Sequence, residues 1–316
     1  MIGLRKVLVW GILSSMLFFT ACGSNKNYKD PTSINKLEIR KNIELNIVTT
    51  DKLLYNMVKS IVKDRHIVEY MFNNRETEVN FKFTEDSINN VSKKDLFFYV
   101  GAGFEPWIDT FVDKLNKNKV GVINVSRGIG LLSYNKVVKY NDTVLKDNPY
   151  YFTNVDNYII ALMNIRNAVQ DKDPRSRDFY EKNFSEVLKN LQDYKQKLNL
   201  IDNQLSNYNF ITVEDELNYF VKYNNLNLLD VGCGENNIIT LNTSQQKNLE
   251  QKSDNNNLII LYNDDSVIKN NEELIKKYNI PAVKIEVYNG DFSYEETLTN
   301  NIHTLENICK TNKSGT

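Results

Sequence analysis

Apolar and polar positions change period repeatedly between residues 45 and 309, and the switches mark short strands and amphipathic helices. Leu45 to Thr50 is an apolar run that predicts a buried strand, and Lys52 to Asp64 then places Leu53, Leu54, Met57, Val58, Ile61 and Val62 on one helical face. Ile67 to Phe72 returns as a strand. Thr84 is placed to cap a short helix through Val91, and Asp95 to Val100 is a strand without polar alternation. Pro106 suits the first turn of a helix whose Trp107, Ile108, Phe111, Val112 and Leu115 share a face, and Val120 to Asn124 is the next strand. Short apolar strands alternating with amphipathic helices predict βαβ units and a parallel sheet.

The middle of the chain keeps a helical period alone. Asn154 to Gln170 forms one pattern, and Arg175 to Asn203 a second, in which Phe184, Val187, Leu188, Leu191, Tyr194 and Leu198 keep phase. A helix of that length spans on the order of 40 Å. Alternation resumes with candidate strands at Asn209 to Val213, Leu226 to Val231, Asn257 to Tyr262 and Val283 to Val287. Helices are expected at Leu217 to Asn224, Thr243 to Lys252, Asn270 to Tyr278 and Ser293 to Cys309. The pattern therefore predicts an α/β fold of two lobes, each a parallel sheet flanked by helices, joined by one long connecting helix. Ligands of such sheets sit at the carboxyl ends of the strands, so two facing lobes make a cleft.

The N-terminus follows another logic. Arg5 and Lys6 precede the apolar run Val7 to Phe19, and Thr20-Ala21 stand directly before Cys22. The run is too short for a spanning helix and has the layout of a secretory signal. Phe19-Thr20-Ala21-Cys22 resembles a lipobox, which implies cleavage before Cys22 and a diacylglycerol anchor on that cysteine. The resulting division is a signal at 1–21, a tether at 22–43, a first lobe at 44–173, the connecting helix at 174–206 and a second lobe at 207–316.

Composition narrows the function. With 39 basic and 40 acidic residues the net charge is −1, and no basic stripe interleaved with aromatics appears, which argues against a nucleic-acid partner. Only His66 and His303 are present, so a histidine-rich metal site is excluded. Beyond Cys22 only Cys233 and Cys309 remain, as a disulfide or as two thiols.

Several segments, in order, resemble the TroA/ZnuA-type solute-binding proteins that deliver zinc or manganese to ABC importers. Phe83 to Trp107 (FTEDSINNVSKKDLFFYVGAGFEPW) is similar to the family's helix, strand, Gly, Glu and Trp; Val125 to Leu132 (VSRGIGLL) follows its next turn. Asn148 to Asn183 resembles the family's Asp-Pro-His block and the start of its connecting helix. Phe210 to Tyr219 (FITVEDELNY) is similar to the opening of the second lobe, and Ser293-Tyr294 through Asn301 to the closing helix.

That resemblance implies an extracytoplasmic, membrane-anchored monomer that captures a metal ion and docks to a membrane permease. It also implies a ligand set. The family's first histidine falls at Glu78, the second on Tyr150, and the third on Glu214, the residue type of manganese-type members. The late carboxylate falls at Asn289 or Asp291. Glu78, Glu214 and Asp291 make an oxygen-rich set suited to a hard divalent cation, manganese rather than zinc. Tyr150, with an ordinary pKa near 10, is a poor ligand for such an ion and suits Fe³⁺ or a hydrogen-bonding role. The alternative is a degenerate site, in an accessory surface protein or in one that binds another small solute through Tyr150, Tyr151, Phe152 and Trp107.

Two glycine motifs point elsewhere only weakly. Asp230 to Gly234 (DVGCG) resembles the first motif of S-adenosylmethionine-dependent methyltransferases, but Asn236 stands where the third glycine falls. Gly101-Ala102-Gly103 reads as a tight turn. No nucleophile is paired with a base, so no enzyme is expected.

Overall fold

The computed structural model describes residues 43–253 and 257–311. The signal, Cys22 and nearly all of the tether lie outside the described residues. The first lobe runs β1 (Asn46–Asp51), α1 (Lys52–Val62), β2 (Ile67–Phe72), α2 (Arg75–Val79), α3 (Glu85–Ser92), β3 (Leu96–Tyr99), α4 (Ile108–Lys114) and β4 (Gly121–Asn124). A hairpin of β5 (Ser133–Tyr140) and β6 (Thr143–Asp147) follows, then α5 (Val155–Lys172) and the long α6 (Arg177–Leu205). The second lobe comprises β7 (Asn209–Ile211), α7 (Asn218–Tyr223), β8 (Gly232–Cys233), β9 (Ile239–Thr240), α8 (Thr243–Ser253), β10 (Leu258–Tyr262), α9 (Asp265–Asn270), α10 (Glu272–Lys277), β11 (Ala282–Lys284) and α11 (Tyr294–Thr311).

The sheets are parallel, as the unbroken apolar runs require. One has strand order β2-β1-β3-β4 and the other β11-β10-β7. Successive strand residues point to opposite faces, and both faces are covered. Ile47, Leu96 and Phe98 face α1, α5 and α6, whereas Val48 and Phe97 face an outer layer with Ile88, Val91 and Phe111. In the second sheet Phe210, Ile259 and Leu261 face inward, and Ile211, Leu258 and Ile260 pack under α8 and α9 with Leu249 and Val267. The inner layers of both sheets belong to one continuous core. Phe184, Val187, Leu191, Tyr194, Leu198, Ile201 and Leu205 of α6 run through it. This helix has 29 residues and is therefore about 44 Å long.

Two local expectations are corrected, and one element was not foreseen. Leu226 to Val231 is not a strand; Leu228 makes a single parallel bridge to Phe210, supported by Phe210 N–H to Asn227 O at 2.8 Å and Leu229 N–H to Phe210 O at 2.8 Å. The expected helix at Asn270 to Tyr278 is two short helices. Asn271 interrupts it, accepting from Ile239 N–H at 2.7 Å and donating to Asn237 O at 2.9 Å and Val267 O at 2.7 Å. The hairpin at 133–147 shows no apolar period because it is largely exposed, and sequence reasoning passed over it. Asp230 to Gly234 ends in the small antiparallel β8–β9 pair rather than a strand-to-helix turn, which leaves the methyltransferase motif without its structural context.

Candidate functional site

A cavity of about 550 Å³ lies where loops following strands of both sheets meet. The first lobe contributes Asp51 at the end of β1, Arg75 and Glu78 from α2, Phe104 after β3, and Tyr150. The second lobe contributes Glu216, Asp264 and Asp291.

The first-lobe wall is built on buried carboxylates. Asp51 caps α1, accepting from Leu54 N–H at 2.8 Å. Glu105 is fully buried and accepts from Thr50 Oγ1 at 2.6 Å, Val100 N–H at 2.7 Å and Gly101 N–H at 2.9 Å. It thereby pins a turn in which Gly101, Ala102 and Gly103 all have positive φ, so Gly-x-Gly serves backbone geometry. Glu78 is 1% exposed; its Oε2 accepts from Arg75 Nη1 at 3.0 Å, while its Oε1 has no hydrogen-bond partner. Its backbone carbonyl accepts from Trp107 Nε1 at 2.7 Å, which ties α2 to the aromatic cluster of Phe72, Phe81 and Phe111.

Burial of these acids shifts their protonation. Asp51 is pushed up to about 7 by burial, with the Glu105 charge adding to the effect. Glu78 is pushed up to about 9 by burial, then by Glu105 and Asp51, against the opposing pull of Arg75. Arg75 lies 3.7 Å from the centroid of the Phe104 ring and also neighbours the Tyr150 hydroxyl.

Tyr150 follows Asn148, whose Oδ1 accepts from Tyr150 N–H at 3.0 Å. Burial, then the Glu216 charge, pushes the Tyr150 phenol up to about 12. Glu214 is 2% exposed and does not line the cavity. Its two oxygens accept from Asn263 N–H at 2.8 Å and Asp264 N–H at 2.9 Å, which brackets the ends of β7 and β10. Burial raises its pKa, and the two amide bonds oppose that rise. Asp291 stands at the rim, paired with Lys52 at 3.0 Å and accepting from Asn289 Nδ2 at 3.0 Å.

Glu78, Tyr150 and Asp291 therefore line one cavity, and Glu214 lies behind its wall. Among the described residues no three His, Cys, Asp or Glu side chains come together as a metal site requires. His66 is buried elsewhere, with Nδ1 accepting from Leu45 N–H at 3.2 Å and Nε2 2.6 Å from Tyr180 Oη, and His303 is exposed on α11. Cys233 and Cys309 are not joined to each other. Of the aromatics, Tyr150 and Phe152 reach the cavity, whereas Tyr151 and Trp107 are core residues. Sequence reasoning missed Asp51, Arg75, Glu105 and Glu216. The available signals were the three-residue spacing of Arg75 and Glu78, a second glutamate two positions after Glu214, and an acid ending an apolar strand.

The profile of the family described as zinc-uptake complex component A, periplasmic (ZnuA) matches residues 47–308. The chain belongs to this family. Its members are solute-binding proteins of ABC metal transporters, not enzymes. The chain is 26% identical over 233 residues to a metal ABC transporter substrate-binding lipoprotein of Lactococcus lactis, covering 70% of this chain and 69% of that one. It is 26% identical over 209 residues to the manganese ABC transporter substrate-binding lipoprotein PsaA of Streptococcus anginosus, covering 64% of this chain and 61% of the relative. For several such relatives the match spans less than two thirds of their length. Among solved structures, the metal-dependent lipoprotein YcdH of Bacillus subtilis superposes with a TM-score of 0.67 at 20% identity, over 84% of this chain and 99% of that one. The Mn²⁺ complex of FpvC from Pseudomonas aeruginosa gives 0.63 at 18%, over 85% and 100%. At these identities the likeness is one of fold.

Proposed function

We propose that this chain is the solute-binding component of a metal-importing ABC transporter, held at the extracytoplasmic membrane face through Cys22. Its cargo is a metal ion captured in the cleft between lobes that span 44–173 and 207–316, with the connecting helix at 174–206. The observation that carries this reading is the cavity at the carboxyl ends of both sheets. Three of the four positions that the family resemblance implies as ligands, Glu78, Tyr150 and Asp291, line it. Glu216, Asp264 and Asp291 face two cations, Lys52 and Arg75, and Asp51 and Glu78 add further negative charge once an entering cation displaces their protons, so the lining attracts positive charge. It holds no histidine or cysteine, which favours a hard ion such as Mn²⁺ over Zn²⁺. Glu214 does not line this cavity, so it joins such an ion only if its carboxylate turns toward the cleft.

The test is thermal melting of the soluble fragment with Mn²⁺, Zn²⁺, Fe³⁺ or chelator. An ion at 100 times its Kd stabilises by about 2.7 kcal/mol and raises Tm by several degrees. Absence of a shift with every ion sinks metal capture and leaves the accessory or other-solute role. For the anchor, Cys22→Ser is expected to move the protein from the membrane fraction to the medium or periplasm; unchanged membrane retention refutes the lipid attachment.

A further inference from the structure

Arg75 is an unexpected residue at its position. It opens the short helix α2, where a positive charge opposes the helix dipole, so local helix stability does not explain it. Its guanidinium instead reaches into the cavity. It donates to Glu78 Oε2 at 3.0 Å, stacks 3.7 Å from the centroid of Phe104, and neighbours the Tyr150 hydroxyl. Glu78 and Tyr150 are the two first-lobe positions that the family resemblance implies as ligands, so one side chain reaches both.

Burial raises the pKa of all three acids around it, Asp51, Glu78 and Glu105, and this single guanidinium is the cation that opposes the rise in each. Glu78 Oε1 is buried without a hydrogen-bond partner, although every other oxygen of Glu78 and Glu105 is bonded. An unpartnered buried acceptor beside a cavity is the mark of a place for another donor or cation. The Arg75 side chain is 36% exposed, so it has a route out to solvent.

We propose that Arg75 is a resident cation that occupies the first-lobe half of the cleft and competes with the transported metal for Glu78 and Tyr150. The metal then binds only as the guanidinium leaves its stack on Phe104, and Arg75 sets the affinity and the selectivity for charge. A dication outcompetes it; a monovalent ion does not. The inference rests on the reading that the cleft captures a metal ion.

Calorimetric titration of the folded soluble fragment with Mn²⁺ and Zn²⁺ tests it, comparing the wild type with Arg75→Gln, Arg75→Ala and Phe104→Leu. Arg75→Gln is expected to bind at least tenfold more tightly. Phe104→Leu, which keeps the charge and removes the stack, is expected to tighten binding in the same direction. Methylguanidinium at millimolar concentration is expected to weaken metal binding by Arg75→Ala several-fold and to leave the wild type unchanged, a response that loss of charge alone does not produce. If the wild type binds metal and Arg75→Gln binds no more tightly, competition by Arg75 is overturned while metal capture stands. If neither binds any ion, both fall.

Discussion

At the scale of single residues, the buried acids of the cleft make pH the most direct probe. Asp51 and Glu78 have ordinary values of 3.8 and 4.5 and stand at about 7 and about 9 in the folded chain. Because the folded values are raised, the stability these groups contribute is complete below about pH 4. It is lost as pH rises, through about 7 for Asp51 and about 9 for Glu78. His66 acts in the opposite sense: burial lowers its pKa, so its contribution is present above 6.5 and lost as pH falls. Melting of the wild type is therefore expected to weaken between pH 6 and 9, and Glu78→Gln to flatten that decline. An unchanged slope in the variant shows that Glu78 does not carry it. This behaviour was illegible in the sequence. The residue numbers of Glu78, Tyr150 and Asp291 followed from the resemblance, but Glu78 as a protonated neighbour of Arg75, and Glu214 as an amide bracket, depend on which way buried oxygens point.

At the scale of elements, the strands and helices were readable where one face is apolar. β2 falls at the expected residues, and α1, α5, α6 and α11 fall within a few residues of their patterns. What escaped were elements held by polar side chains: the exposed hairpin, and the break at Asn271. Loop glycines carry a similar hidden load. Gly290 has φ +86°, and a Cβ there would stand 2.7 Å from Leu53 N and 2.9 Å from Leu53 Cα. This loop lies against the start of α1, where Asn56 Nδ2 donates to Gly290 O at 2.8 Å. Gly290→Ala thus meets both an unfavourable φ and a backbone clash that cannot be relieved by rotating a side chain. A loss of at least about 1–3 kcal/mol is expected in urea unfolding. Gly130→Ala, where nothing lies within 4 Å of the added carbon, serves as the control and should stay within about 0.5 kcal/mol. Equal effects of the two substitutions refute the close approach.

At the scale of the whole molecule, the lobes are bonded to one another as well as tethered by α6. Tyr219 Oη donates to Asn148 O at 2.8 Å and accepts from Leu132 N–H at 2.6 Å, while Asn148 Nδ2 donates to Asp215 O at 2.7 Å. Asn148 therefore serves as a clasp between lobes, a role its place beside Tyr150 did not suggest. Tyr294, on α11, stacks on Tyr158 with centroids 3.6 Å apart and donates to Phe152 O at 2.8 Å. Both rings belong to the core that the two sheets share. A core without an internal boundary gives no place for one lobe to unfold while the other persists, so a single calorimetric transition is expected despite the two sheets. Tyr294→Phe removes the hydrogen bond and leaves a buried carbonyl unpaired, at a cost of about 1–3 kcal/mol. Tyr294→Ala also removes the stacked ring and should cost about 3–5 kcal/mol. Both variants should lower the transition as one peak, because the lost contacts stabilise both lobes together. Two resolved peaks in either variant would show instead that the lobes are separate folding units joined only by α6.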